Sequence, residues 1–382
     1  MTLSARQSVS LLFLVNGWLF GTWAAKIPIF ADRLSLSEST VGLMIVVFGF
    51  GAILTMPVIG VTIARFGTAV VTKFLSLAAA TTMLWITLSP NIWSAGVALF
   101  FFGSMIAGMD VAMNAFAVEV EKKISKPIMS ACHGFWSLGG LFGAVITGYL
   151  LEVLDVTSHA LATTLVLMAM TLLALPQLKS SGSSAPVEKT KLTFPRMLLP
   201  YLVGFVALCS AMPEGAVVDW SALYLTQDLG ASTLTASFAF GAFSGTMALV
   251  RFFGDPLRAR YGAVRTMRLC GLVAAVGMLI AGIAPTDIIA ICGFLIAGLG
   301  MSNLVPIAFS AAGNLPGLAP GIGLSMATTI GYSGLLVAPA AFGYVAEFFG
   351  FSVVFTGLAA ALFLVVFLAQ ITRHADGIGA GD

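Results

Sequence analysis

Long apolar runs recur along this sequence so regularly that they leave room for little else. Read between charged residues, Gly and Pro, the runs lie near 8–30, 39–63, 69–90, 92–119, 127–152, 158–177, 197–226, 233–255, 264–284, 286–313, 319–345 and 350–371. Several exceed the ~18 residues that mark a membrane-crossing helix. With 59% hydrophobic and only 9% charged residues, and 29 Phe, the composition excludes a soluble domain. A spanning segment must satisfy its own backbone polar groups in lipid, so each run is expected to be an α-helix. The first run, from Leu11, continues to a full span without a small-residue cleavage site, and reads as a first helix and not a signal peptide. Cys132, Cys209, Cys270 and Cys292 stand singly inside apolar runs, which suits small core residues and neither a disulfide framework nor a CxxC metal site. No basic stripe points to nucleic acid.

The long polar break KSSGSSAPVEKTKLTFPR, 179–196, has the Ser, Pro and Lys content of a flexible linker. It divides the chain into residues 1–178, with six runs, and residues 197–382, with six more. If both termini are cytoplasmic, all of the 18 Lys and Arg residues except Lys26 and Arg33 fall on the inner side, and the positive-inside rule then fixes the orientation. Trp85 and Trp93 then lie at the outer ends of spans 3 and 4, as an interfacial belt requires. An internal repeat supports the division. IARFGTAVVTK after span 2 aligns with RARYGAVRTMR after span 8, setting Arg65, Phe66 and Gly67 on Arg260, Tyr261 and Gly262, and Lys73 on Arg268. At the same offset, Leu34-Ser35-Leu36-Ser37 meets Leu229-Gly230-Ala231-Ser232. Two equivalent halves around a shared site form a known transporter design. The expected fold class is an all-α membrane protein, twelve transmembrane helices in two pseudo-symmetric six-helix bundles.

These residues resemble the major facilitator superfamily along essentially the whole chain. The loop after span 2 is similar to that family's G-x-x-x-D-R-x-G element through Gly60, Arg65 and Gly67, with Ala64 at the acidic position; the second copy keeps Asp255, Arg260 and Gly262. The resemblance implies that this element latches the cytoplasmic ends of neighbouring helices. A closer resemblance is to fucose-permease-like sugar:proton symporters, through Asp110, Ala112, Asn114 and Phe116 of span 4 and the run His133-Gly134-Phe135-Trp136-Ser137-Leu138-Gly139 of span 5.

A carboxyl group at the bilayer centre costs roughly 2.5–3.5 kcal/mol on the insertion scale, so acids within spans normally face a wet cavity and have a function. Asp110 and Asn114 share one helix face; Asp110 lies about 15 Å and His133 about 9 Å from the cytoplasmic ends of their helices. Both are candidates for proton coupling, as is Glu214, which is flanked by Pro213 and Gly215 where span 7 is expected to loosen. His133 equally suits a satisfied interior histidine. Asp219 reads either as a solute ligand or as an outer acid paired with Lys26. Candidate solute ligands are Asn16, Trp18, Asn114, Trp136, Asn303, Tyr332 and Asp219, because an aromatic face suits a sugar ring and carboxylate and amide groups suit its hydroxyls. Trp23 and Trp220 read more readily as packing. Gly139, Gly140, Gly143 and Gly148 read as sites of close helix contact.

No nucleophile elbow, P-loop or metal-spaced histidine pair appears, so no enzyme activity, cofactor or metal is expected. The expected function is a secondary active transporter of a small polar solute, a sugar or sugar derivative, by proton-coupled symport across the inner membrane. Alternatives are an exporter or antiporter, a nucleoside transporter, and a solute sensor that does not transport. The expected partners are solute, protons and lipid, with the protein a monomer. The topology can be tested at the linker. A cysteine replacing Ser183 should be inert to an impermeant thiol reagent in intact cells and reactive in inside-out vesicles; labelling from outside would invert the orientation.

Overall fold

The computed structural model describes residues 3–124, 128–179, 197–253, 260–316 and 322–376. Twelve helical segments are long and apolar enough to cross a membrane. The first six are α1 (Ala5–Leu34), α2 (Glu38–Phe66), α3 (Thr68–Leu88), α4 (Ile92–Ile124), α5 (Met129–Leu151) and α6 (Val156–Ala174). After the linker, of which 180–196 fall outside the described residues, come α7 (Leu199–Gln227), α8 (Thr233–Phe253), α9 (Ala263–Gly282), α10 (Asp287–Met301), α11 (Leu304–Gly313), α12 (Ile322–Phe349) and α13 (Phe351–Leu368). The fold is the all-helical, twelve-span architecture expected from the apolar runs.

The tenth span is broken into α10 and α11, whereas the sequence suggested a loosened seventh. Pro306 lacks the N–H that would bond Ser302 O one turn earlier, so the helix stops at Met301 and restarts at Leu304. Pro213, by contrast, lies inside an unbroken α7.

The repeat is present in the backbone. Gly67 and Gly262 have φ of 82° and 74°, a region that glycine enters without strain, and both precede a helix, α3 and α9. Ser35 and Gly230 share the left-handed conformation at the same offset. Ser37 and Ser232 then accept from Thr40 N and Thr235 N at the starts of α2 and α8. In the two latch elements, Arg65 lies over the Phe66 ring and Arg260 over the Tyr261 ring. Neither arginine forms an ion pair among the described residues. Asp255 lies outside the described residues, and a Cβ on Gly60 would meet no neighbour within 4 Å. Although Ala64 replaces an acid, Glu119 of α4 reaches this turn and accepts from Thr68 Oγ1 at 2.7 Å. At the second turn, Asp376 accepts from Ala263 N at 2.7 Å.

The two exceptions to the positive-inside pattern have a local cause. Lys26 Nζ donates to Thr87 Oγ1 at 2.7 Å, and Arg33 donates to the carbonyls of Thr87 and Ile86. Arg33 therefore caps the C-terminus of α3, where carbonyls lack helical partners, and Lys26, on the Thr87 hydroxyl, lies at the same helix end, where the dipole favours positive charge. Lys26 is thereby committed to Thr87 and makes no ion pair with Asp219.

Glycines set the closest helix contacts. A Cβ on Gly17 or Gly21 of α1 would lie 1.9 Å from Trp136 O or 2.2 Å from Gly140 O, and one on Gly139 or Gly143 of α5 would lie 2.1 Å from Leu14 O or 2.3 Å from Trp18 O. On another side of α5, Gly140 and Gly148 receive Ser244 and Ser237 of α8. Trp85 and Trp93 are 44% and 84% exposed near the ends of α3 and α4, as a belt position requires.

The chain is sealed at the face where α2 begins and α12 ends. Ser39 N donates to Glu347 Oε2 at 3.0 Å. A Cβ on Gly42 would lie 2.6 Å from Pro339 O, and one on Gly343 would lie 2.4 Å from Glu38 O. Replacing Gly343 with Leu should force α2 and α12 apart. A cysteine at Ser39 should then react severalfold faster with an impermeant thiol reagent applied to that face, and an unchanged rate would show that the seam does not govern access.

Candidate functional site

A cavity of about 370 Å³ lies between the first six helices and the last. Its lining mixes apolar side chains, Phe20, Phe48, Ile53 and Met56 among them, with the polar or amphipathic Asn16, Asp110, His133, Trp136, Glu214, Asp219 and Arg251. Asn16, Asp110, His133 and Arg251 each sit eighteen residues from the sealed-face end of their own helix, about 27 Å at helical rise. Four helices thus bring one polar layer to one depth, and the cavity runs from it toward the seal.

Asn16 is the tie that shapes this layer. Fully buried on α1, it donates from Nδ2 to Ile106 O of α4 at 3.1 Å and accepts from Trp136 Nε1 of α5 at 2.9 Å. It borders the cavity, and these two bonds make it a support for Trp136. The Trp136 indole is also held edge-on against Phe20, with centroids 5.4 Å apart.

One turn along α4 from Ile106, Asp110 presents its carboxyl to the cavity. Asn114 donates to Asp110 O at 2.8 Å and Oδ1 at 3.2 Å. The two residues do share a face, but the Asn114 amide serves the acid and does not line the cavity. His133 packs its ring edge-on against Phe13 at 5.2 Å, and its ring nitrogens make no hydrogen bond among the described residues.

Glu214 is not free. Arg251 Nη2 of α8 lies 3.5 Å from Glu214 Oε1, and Arg251 Nη1 donates to Ser137 Oγ of α5 at 2.7 Å. Arg251 was missed by sequence reasoning because it stands two residues from the end of α8, where a cation reads as a loop charge. Its long side chain turns back into the cavity. Asp219 also lines the cavity; the Trp23 indole is its near neighbour, although Trp23 Nε1 stops short of a hydrogen bond.

Other expected ligands lie elsewhere. Trp18 packs on Phe142, 6.3 Å between centroids, and is not part of the cavity wall. Asn303 stands at the α10–α11 break, where Nδ2 donates to Ser302 Oγ at 3.4 Å, and it does not reach the cavity. The Tyr332 side chain lies outside the described residues. Trp23 and Trp220 are 2% and 0% exposed and belong to the packed core, as expected.

A twelve-span protein enclosing a polar cavity between two sets of helices has the form of a membrane transporter. The family model for the Major Facilitator Superfamily matches residues 9–212 and 203–377. An uncharacterized MFS-type transporter of Yersinia pestis is 34% identical over 364 residues, covering 95% of this chain and 94% of the relative. Membrane protein MosC of Rhizobium meliloti is 27% identical, covering 97% and 88%. Among solved structures, the nucleoside transporter NupG aligns with a TM-score of 0.71 at 13% identity, covering 97% of this chain and 99% of that one. A single-residue variant of the E. coli fucose:proton symporter FucP gives 0.64 at 16% identity, covering 96% and 98%. At such identities these structures share the fold alone. The chain belongs to the Major Facilitator Superfamily and is a multi-pass membrane transporter, not an enzyme.

The Asn16–Trp136 bond yields a direct test. Trp136→Phe should leave Asn16 Oδ1 short of a donor, and Asn16→Ala should free the indole; each should destabilise the protein by about 1–3 kcal/mol. The double variant should lose less than the sum of the two. Full additivity in thermal unfolding of the purified protein would show that the bond contributes nothing.

Proposed function

We propose that this transporter moves a small polar solute, a sugar or sugar-like polyol, inward across the inner membrane by proton-coupled symport, with both termini cytoplasmic. The observation that carries this reading is the Asp110 carboxyl, which faces the cavity and has one side-chain partner among the described residues, the neutral amide of Asn114. A carboxylate inside an apolar bundle is costly without a cation. A proton taken from one side and released to the other relieves that cost in each cycle. Glu214 suits this role less well, because Arg251 already compensates its charge.

The cavity wall agrees with a polyol. Trp136 offers a fixed aromatic surface, His133 offers ring nitrogens without protein partners among the described residues, and Phe20 and Phe48 supply apolar cover. This is the mixture of ring contact and sparse polar groups that orients a small solute. The sealed α2–α12 face and the cavity beyond it suit one stage of alternating access.

A thermal-shift screen of purified protein against sugars, nucleosides and amino acids would supply a ligand. With that ligand, Asp110→Asn should abolish accumulation driven by a pH gradient in proteoliposomes while exchange of internal for external solute continues. Accumulation at the wild-type level would remove Asp110 from the coupling mechanism.

A further inference from the structure

Arg251 is the one cavity-lining group among those described that bonds to both sets of helices. Its guanidinium has five N–H donors. The described contacts are one hydrogen bond to Ser137 Oγ on α5 and one loose approach, 3.5 Å, to Glu214 on α7. A well-made guanidinium–carboxylate pair is bidentate and shorter, about 2.7–2.9 Å. The remaining donor capacity belongs to a group that lines the cavity, at the depth of Asp110 and His133. Ser137 is held to α8 twice, since its carbonyl also accepts from Ser244 Oγ at 2.7 Å. The neighbouring contacts of this seam are apolar: Phe252 covers Gly134 and meets Phe135 edge-on at 5.6 Å.

We propose that Arg251 binds the solute and reports its presence to the α5–α8 seam. Oxygens of the solute replace Ser137 Oγ on the guanidinium, so occupancy removes one of the two hydrogen bonds that hold Ser137 to α8. A planar fork of donors selects a pair of adjacent oxygens, either vicinal hydroxyls or a carboxylate. This deepens the proposed solute reading, and it rests on the cavity being the solute site.

The competition gives an unusual signature. Ser137→Ala should tighten solute binding by roughly three- to thirtyfold, because the solute no longer displaces a hydrogen bond. Arg251→Gln should weaken binding by at least as much, and Arg251→Lys, which keeps the charge but not the fork, should fall between. Thermal shift and isothermal calorimetry on the full-length protein would use D-galactose, myo-inositol and uridine as vicinal polyols, D-glucuronate and D-gluconate as acids, and choline as a control without adjacent oxygens. Binding by the three polyols as a class assigns vicinal hydroxyls; binding by the acids alone assigns the carboxylate. A second readout is the oxidative cross-linking rate of cysteines placed at Phe135 and Phe252. Bound solute should change it, and Ser137→Ala should shift it the same way without solute. The proposal is overturned if no adjacent-oxygen compound binds, if Arg251→Gln and Arg251→Lys bind as wild type does, or if Ser137→Ala leaves affinity and cross-linking unchanged. None of these measurements needs a proton gradient, so a failure of Asp110 coupling would leave them standing, and the reverse also holds.

Discussion

Backbone contact between α1 and α5 is the constraint on which the cavity depends. Gly17 and Gly21 on one helix and Gly139 and Gly143 on the other leave the two chains with carbonyls where side chains would otherwise stand. Without a hydrophobic force between helices in lipid, such packing and a few interhelical hydrogen bonds hold a bundle together. The close approach lets Asn16 reach both Trp136 of α5 and the Ile106 carbonyl of α4. That one side chain fixes the position of three helices, the indole on the cavity wall, and the α4 turn that leads to Asp110.

The charges of this chain divide by what they face. Arg33 closes the carbonyl end of α3. Glu121 accepts from Ile128 N and Met129 N at the start of α5, and Asp228 accepts from Phe351 N at the start of α13. Each satisfies helix-end groups that lipid cannot satisfy, and each is explained without a ligand. Asp110, Asp219, Glu214 and Arg251 face the cavity instead. They are the charged side chains that line it.

The fold was legible because spanning helices have a length and an apolar content that nothing else in a sequence imitates. The 195-residue repeat was legible too, and it reappears as matched left-handed turns at Ser35 and Gly230 and at Gly67 and Gly262. The site was legible only in part. Asp110, Glu214, Asp219, His133 and Trp136 line the cavity, since an acid or an amphipathic ring in such a span has few other places to go. Trp18 and Asn303 do not, because helix number and depth leave the angle around the helix axis undetermined. Arg251 was hidden by its position near a helix end, where a cation reads as a loop charge although the side chain lines the cavity. The pairing of Lys26 with Thr87 instead of Asp219 was equally hidden, because helix C-termini attract cations without leaving any acid in the sequence to betray them.

In the proposed function, this cavity is the place where solute binds. A cryo-electron microscopy structure of the full-length protein with the ligand from the screen tests this most directly. Density for the ligand against Trp136, within hydrogen-bonding distance of His133 and Arg251, is the predicted result. Ligand density at any other surface, with this cavity filled only by water, would contradict the account.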